Sequence, residues 1–303
     1  MDISMIYSAA KPLRQDQLMI VSCDLCGSSE NDTIMSKAGV VYDHVFNIVR
    51  CRQCGHVFVN PRLSDETINA LYDEEYYQGR GFDHTIDYAE HLEGDALQER
   101  FRDEILTLRE AAGSLRDMSI LDIGCGSGGM VRALRAHGAD AVGFDTSTSA
   151  QRLCKQYATP MVATTLEELY GSHRRYDIVT AVEVIEHTFS PLAFLESVSR
   201  LVRPGGILFI GTGNWNLVRL DPGTPYVMPE GHIHYLTPVT LGEYFRKAGL
   251  QTTGTFNFMW AGWRKLAAHL GVIGPATARA TAAVVARLSP GVGPFPVARR
   301  PEN

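Results

Sequence analysis

The stretch Ile120-Leu121-Asp122-Ile123-Gly124-Cys125-Gly126-Ser127-Gly128-Gly129 decides the fold. An apolar run with one acid at its end reads as a buried strand, and the glycines that follow leave the backbone bare for a turn or a close approach. Met130–His137 then continues with helical periodicity. A strand, a glycine turn and a helix in that order form the corner at which an α/β sheet meets its ligand. The glycine pattern alone fits several ligands, and Asp122 narrows them. A carboxylate at the strand end repels a pyrophosphate and favours a ligand with cationic groups, such as the ammonium and sulfonium of S-adenosylmethionine.

Outward from this corner, short apolar runs alternate with helical stretches. Ser119–Ile123, Ala141–Phe144, Pro160–Ala163, Asp177–Val182 and Gly206–Ile210 read as strands of a parallel sheet flanked by helices. Asp145 closes the second of them, 23 residues beyond Asp122. In this architecture a carboxylate there accepts both ribose hydroxyls of a bound nucleoside. Taken by itself, Asp145 also fits NAD, or an N-cap before Thr146-Ser147.

With 303 residues, 45% of them hydrophobic and 20% charged, the chain buries one main core and carries a small accessory module. A net charge of -6 gives no global field for nucleic acid and points to a small-molecule substrate. With no charged-then-apolar leader and no apolar run of about 18 residues, a cytoplasmic protein without a membrane span is expected.

Four of the six cysteines form two pairs, Cys23-Asp24-Leu25-Cys26-Gly27 and Cys51-Arg52-Gln53-Cys54-Gly55. Four thiolates at this spacing suit a tetrahedral, structural Zn2+ with no position open for water. Basic residues around them are sparse (Lys37, Arg50, Arg52, Arg62), which argues against nucleic acid on this module. Cys125 and Cys154 read as small packing residues. Four parts follow: a zinc-binding module over 1–62, a helical linker or lid over 63–115, a core over 116–258 and a helical tail over 259–303. The lid carries Tyr72, Tyr76 and Tyr77 near Gly79 and Gly81. The tail, alanine-rich over Gly262–Leu288 and broken at Gly274-Pro275, offers Leu266, Leu270, Ile273, Val284, Val285 and Leu288 to the core or to a second subunit of a homodimer.

Leu121–Gly128, Gly143-Phe144-Asp145, Tyr176–Val179, Glu183-Val184-Ile185-Glu186-His187 and Leu201–Gly206 resemble the successive motifs of class I S-adenosylmethionine-dependent methyltransferases. The resemblance implies a Rossmann-like sheet of seven mostly parallel strands with an antiparallel hairpin at its end. It also implies that Gly124, Gly126 and Gly128 approach the methionyl part, that Asp145 holds the ribose, and that Thr165 and Leu166 lie beside adenine. Many members carry an acid at that last place, where this chain has threonines. Glu183 joins the same cofactor set. The paired cysteines, Asn60-Pro61-Arg62 and the tyrosines Tyr72, Tyr76 and Tyr77 are similar to bacterial methyltransferases with an N-terminal zinc module, including sugar C-methyltransferases. Together these similarities span roughly residues 20 to 250.

Methyl transfer to a hydroxyl or a carbon acid needs alignment and a base. His187, at the end of the fourth strand, and the stretch Tyr226 to Tyr235 with Glu230, His232 and His234 supply the candidates. The i, i+2 spacing of His232 and His234 in an extended segment would put both on one face. Glu183-x-x-Glu186-His187 also resembles the Glu-x-x-Glu-His of methyltransferases acting on small-RNA 3′ ends and of ubiquinone-pathway O-methyltransferases, where metal takes part. A Mg2+ at Glu183, Glu186 and His187 would then position a diol. The expected activity is methylation, at carbon or oxygen, of a small hydroxylated molecule in a biosynthetic route. Metal-assisted methylation of a diol or an RNA end, and a non-catalytic zinc-ribbon sensor, are the alternatives.

Overall fold

The computed structural model describes residues 10–72, 74–77, 81–83, 91–219, 226–256 and 295–302. The expected helical tail over Gly262–Leu288 and the hinge residue Gly79 lie outside them. Two sheets organise the chain. Strands β1 (Asn31–Ala38), β2 (Val45–Cys51) and β3 (Val57–Val59) belong to the cysteine module. The main sheet contains β4 (Ser119–Ile123), β5 (Asp140–Phe144), β6 (Met161–Ala163), β7 (Tyr176–Val182) and β8 (Val202–Gly211). Beyond these come β9 (His234–Tyr235), β10 (Gln251–Phe256) and β11 (Phe295–Arg299).

The main sheet runs β6-β5-β4-β7-β8-β11-β10. Its first five strands are parallel, and β11 is antiparallel to both β8 and β10. Ile120 and Leu121 on β4 are buried, as are Val179 and Thr180 on β7, because helices cover both faces of a parallel sheet. Those helices begin where the sequence supplies caps. Ser147 accepts from Ala150 N to open Thr148–Gln156, and Ser190 accepts from Ala193 N to open Pro191–Ser199. The register sets Thr180 opposite Asp122 and Asp122 opposite Gly143, so the acid of the opening stretch sits mid-sheet at the strand ends.

Two expected boundaries move. The core does not end at 258, because its seventh strand is β11, from the segment read as tail. That strand closes the hairpin by pairing back to β8 and β10, contacts too distant in sequence for local periodicity to reveal. The cysteine module also reaches past residue 62. Its sheet runs β9-β3-β2-β1, and β9 belongs to the far side of the core, with His234 opposite Phe58 and Tyr235 opposite Val57. One buried cluster accordingly holds Cys23, Leu25, Cys51 and Phe58 together with Leu121, Leu236 and Tyr244. No described helix is long and apolar enough to cross a membrane.

Candidate active site

A cavity of about 760 Å³ opens at the strand ends, with the glycine loop on one wall and the lid segment on another. Gly124, with φ +68°, needs its bare Cα, because a Cβ there would lie 2.6 Å from Val184 Cγ2. Gly126 N donates to Asp145 Oδ2 at 3.0 Å and Ser147 N to Asp145 Oδ1 at 2.9 Å, which fixes the carboxylate between loop and helix. Asp122 Oδ1 accepts from Thr180 Oγ1 at 2.6 Å, and burial pushes its carboxyl up to about 7. Asp122, Gly124, Gly126, Asp145 and Glu183 all line the cavity. Gly128 stands behind the loop as the left-handed residue that starts the helix Gly129–Ala136. Thr165 and Leu166 are not in the lining. Thr165 caps the helix Leu166–Gly171 through Glu168 N, and Leu166 is 52% exposed beside the end of β6.

The opposite wall carries His187. Its Nδ1 lies 2.8 Å from Tyr72 Oη and 3.1 Å from the Gly231 carbonyl. With the proton on Nδ1, the Gly231 carbonyl, which only accepts, and Tyr72 Oη both accept from it, and Nε2 keeps its lone pair. His232 packs edge-on, with ring centroids 4.5 Å apart, and its Nδ1 donates to Tyr226 O at 2.7 Å. Burial, then His232, holds the His187 imidazole down to about 4, and burial holds His232 at about 4. Both rings are therefore neutral at physiological pH. Glu183 carries φ +53°, a strained value for a residue with a side chain. Burial and the neighbouring Glu186 push its carboxyl well above the usual range.

Three of the expected catalytic residues are spent elsewhere. Tyr226 Oη accepts from Gly213 N at 2.9 Å and donates to buried Glu186 Oε1 at 3.1 Å, a brace outside the cavity lining. Glu230 accepts from Val40, Val41 and Tyr42 amides in the cysteine module. His234 Nδ1 meets His56 Nε2 at 3.0 Å. His232 and His234 part company because residues 229–231 turn and only His234–Tyr235 is extended, so the period-two argument does not apply. Tyr72 is the residue that sequence reading left among the lid tyrosines. Nothing local marks a contact with a histidine 115 positions away. Arg100 lines the cavity mouth with its guanidinium over the Phe101 ring at 5.1 Å, and it too carries no motif.

Cys23, Cys26, Cys51 and Cys54 converge, all four sulfurs lying within 4.8 Å of one another. Cys23 Sγ is 3.5 Å from Cys54 Sγ, and Cys26 Sγ is 3.5 Å from Cys51 Sγ. Tetrahedral zinc with Zn–S bonds of about 2.3 Å needs sulfurs just under 4 Å apart. Gly27 and Gly55 take φ +78° and +76° so that each knuckle turns back on its first cysteine, with Gly27 N on Cys23 O and Gly55 N on Cys51 O. The donor set fits the metal. A second set, Glu186, His187 and His232, also brings its donor atoms within 4.8 Å. Glu183, expected with Glu186 and His187, is not part of it.

Residues 88–254 match the model of a family described as a methyltransferase domain. The ubiquinone biosynthesis O-methyltransferase of Bordetella avium is 32% identical over 163 residues, covering 48% of this chain and 68% of that protein. The enzyme of the same name from Nitrosomonas europaea is 30% identical over 161 residues, with the same coverage of 48% and 68%. Among solved structures, an S-adenosylmethionine-dependent methyltransferase from Mesorhizobium loti matches at a TM-score of 0.44 with 18% identity, over 65% of this chain and 98% of that one.

Proposed function

This chain belongs to the methyltransferase-domain family and is an S-adenosylmethionine-dependent methyltransferase, and from that premise we propose that it methylates a hydroxyl of a small molecule, with His187 taking the proton. S-Adenosylmethionine supplies a methyl group on an electrophilic sulfonium. The observation that carries the reading is one cavity walled by Asp122, Asp145 and the glycine loop on one side and by His187 on the other. Asp122 and Glu183 suit cationic groups, Asp145 suits ribose hydroxyls, and Arg100 at the mouth suits a carboxylate. The names of the relatives support oxygen as the acceptor.

A base held near 4 is adequate for this chemistry. As the acceptor oxygen gains carbon its remaining proton becomes strongly acidic, so a neutral imidazole takes it without having to ionise a free alcohol. His232 backs His187, and Tyr72 holds it from the lid. Zinc in the four-cysteine cluster has a structural role. The Glu186, His187 and His232 set favours a second reading, with a cation on the same wall. Its two imidazoles suit a transition metal, whereas Mg2+ prefers oxygen ligands.

The test is turnover with methyl-labelled cofactor across catechols, hydroxylated rings and keto sugars, beside calorimetry with S-adenosylhomocysteine. Labelled product from a hydroxylated acceptor, lost in His187→Ala and unaffected by a chelator too weak to strip the four-cysteine cluster, is expected. Turnover lost to that weak chelator while metal analysis still finds zinc in the four-cysteine cluster would favour the cation. Tight cofactor binding with no turnover on any acceptor would favour a sensor.

A further inference from the structure

Glu230 is buried to 1% exposure in a loop whose neighbours line up the candidate base, yet its side chain points the other way. Its Oε2 accepts from Val40 N at 2.6 Å, and its Oε1 accepts from Tyr42 N at 2.7 Å and Val41 N at 3.0 Å. Three consecutive amides converging on one carboxylate form an anion nest. Gly39 completes it by close approach, since a Cβ there would lie 2.7 Å from Glu230 Oε1. The grip belongs to the turn between β1 and β2 of the cysteine module. The same sheet takes in β9 just beyond the loop, and Val59 N donates to Ile233 O at 3.0 Å.

Within the loop, Gly231 N and His232 N both donate to Met228 O, at 3.0 and 2.7 Å, so residues 228–232 form one tight turn. One residue of that turn faces the module. The next two face the base, Gly231 through its carbonyl to His187 and His232 through its ring.

We propose that Glu230 is a positioning residue through which the cysteine module sets the tautomer and placement of His187 and His232. The proposal rests on reading those histidines as the proton-accepting wall. The module grips the carboxylate, the carboxylate fixes the turn, and the turn presents the Gly231 carbonyl and the His232 ring. Asp24, inside the first cysteine knuckle, braces the same wall by accepting from Leu192 N at 3.0 Å, in the helix that follows His187.

The test needs no acceptor. In the full chain with zinc, labelled with nitrogen-15 histidine, long-range proton–nitrogen spectra report which ring nitrogen of His187 and His232 carries the proton and how fast it exchanges. Both are expected as slowly exchanging Nδ1–H forms. Glu230→Ala should speed that exchange by about tenfold or more and mix the tautomers, because the turn loses its anchor. Affinity for S-adenosylhomocysteine should stay within about twofold, since Glu230 is outside the cavity lining. Gly39→Ala, pressing on the carboxylate from the module side, should move the spectra in the same direction. Glu230→Gln, which keeps an acceptor for two of the amides, should restore most of the protection. Unchanged histidine spectra in Glu230→Ala would overturn the proposal. If that variant does not fold, unchanged spectra in Gly39→Ala would do so. Should His187→Ala keep full turnover, the base assignment fails while these spectra still report the strut.

Discussion

Asp122 should make cofactor affinity depend on pH, with a sign and size that follow from its burial. The carboxyl is 3% exposed at the end of β4, accepts one hydrogen bond from Thr180, and is pushed up to about 7 from 3.8 by burial, with Asp145 and Glu104 adding to the effect. Between these values the folded protein holds a proton that the unfolded chain has released. Stability of the ligand-free protein therefore falls as pH rises from about 4 to about 7. At 1.36 kcal/mol per pH unit the ceiling on that loss is about 4 kcal/mol. A cationic ligand reverses the preference, because it needs the carboxylate charged. At pH 6 only about one molecule in ten carries that charge. Binding of S-adenosylmethionine should then be about tenfold weaker than at pH 8 and should release close to one proton. Calorimetry between about pH 5.5 and 8, in two buffers of different ionisation enthalpy, measures both. Asp145 shifts in the same direction, so the substitution Asp122→Asn isolates the contribution. It should flatten the pH dependence, weaken binding at pH 8 and raise the ligand-free melting temperature there. A flat affinity with no proton exchange, or a lower melting temperature for Asp122→Asn at pH 8, would refute the reasoning.

Gly128→Ala should lower S-adenosylhomocysteine affinity more than tenfold. At φ +79° a side chain costs about 1–2 kcal/mol, and the added Cβ would overlap Thr159, displacing the loop; affinity equal to the parent's in calorimetry would count against the site. His187→Ala should cut turnover by about 10²- to 10⁴-fold with little change in S-adenosylhomocysteine affinity, and the parent rate should show no histidine-dependent fall until pH drops towards about 4. Stripping zinc with a strong chelator, or Cys51→Ser, should lower the melting temperature sharply, because metal binding free energy here is folding free energy. Zinc, and not magnesium, should restore it in the parent, as thermal denaturation with metal analysis would show.

The parts legible in the sequence were those governed by local chemistry. Gly124 has a positive φ that glycine tolerates, Asp145 closes a strand, and β4, β5 and β7 are apolar runs of strand length. The convergence of the four cysteines was equally plain, because each C-x2-C-G knuckle is a local turn. What escaped notice depends on long-range pairing. Strand β11, Phe-Pro-Val-Ala-Arg, contains a proline and carries no alternation long enough to mark it. Strand β9 is two residues long, so treating His232 and His234 as one extended face failed. Glu230 entered the candidate set with Tyr226, His232 and His234 as one stretch that could hold a base. Its partners are backbone amides, which leave no trace in residue type. Tyr72 lay among tyrosines that packing alone would explain, and only the fold brings it to His187.

The joint between module and core explains why a methyltransferase sheet would carry a four-cysteine knuckle whose sulfurs do not line its cavity. The loop from β8 to β9 has to bury Glu230, His232 and His234 beside one another, and buried polar groups need partners. The module supplies the missing partners: three amides for Glu230, the His56 ring for His234, and strand β3 for β9. Each partner lost would leave a group whose burial costs about 1–3 kcal/mol. A few such losses together approach the 5–15 kcal/mol by which a domain is stable at all. A core cut free at residue 116 would thus expose or strand the loop beside His187, so the four-cysteine knuckle is better understood as part of that wall's foundation than as an appended ribbon.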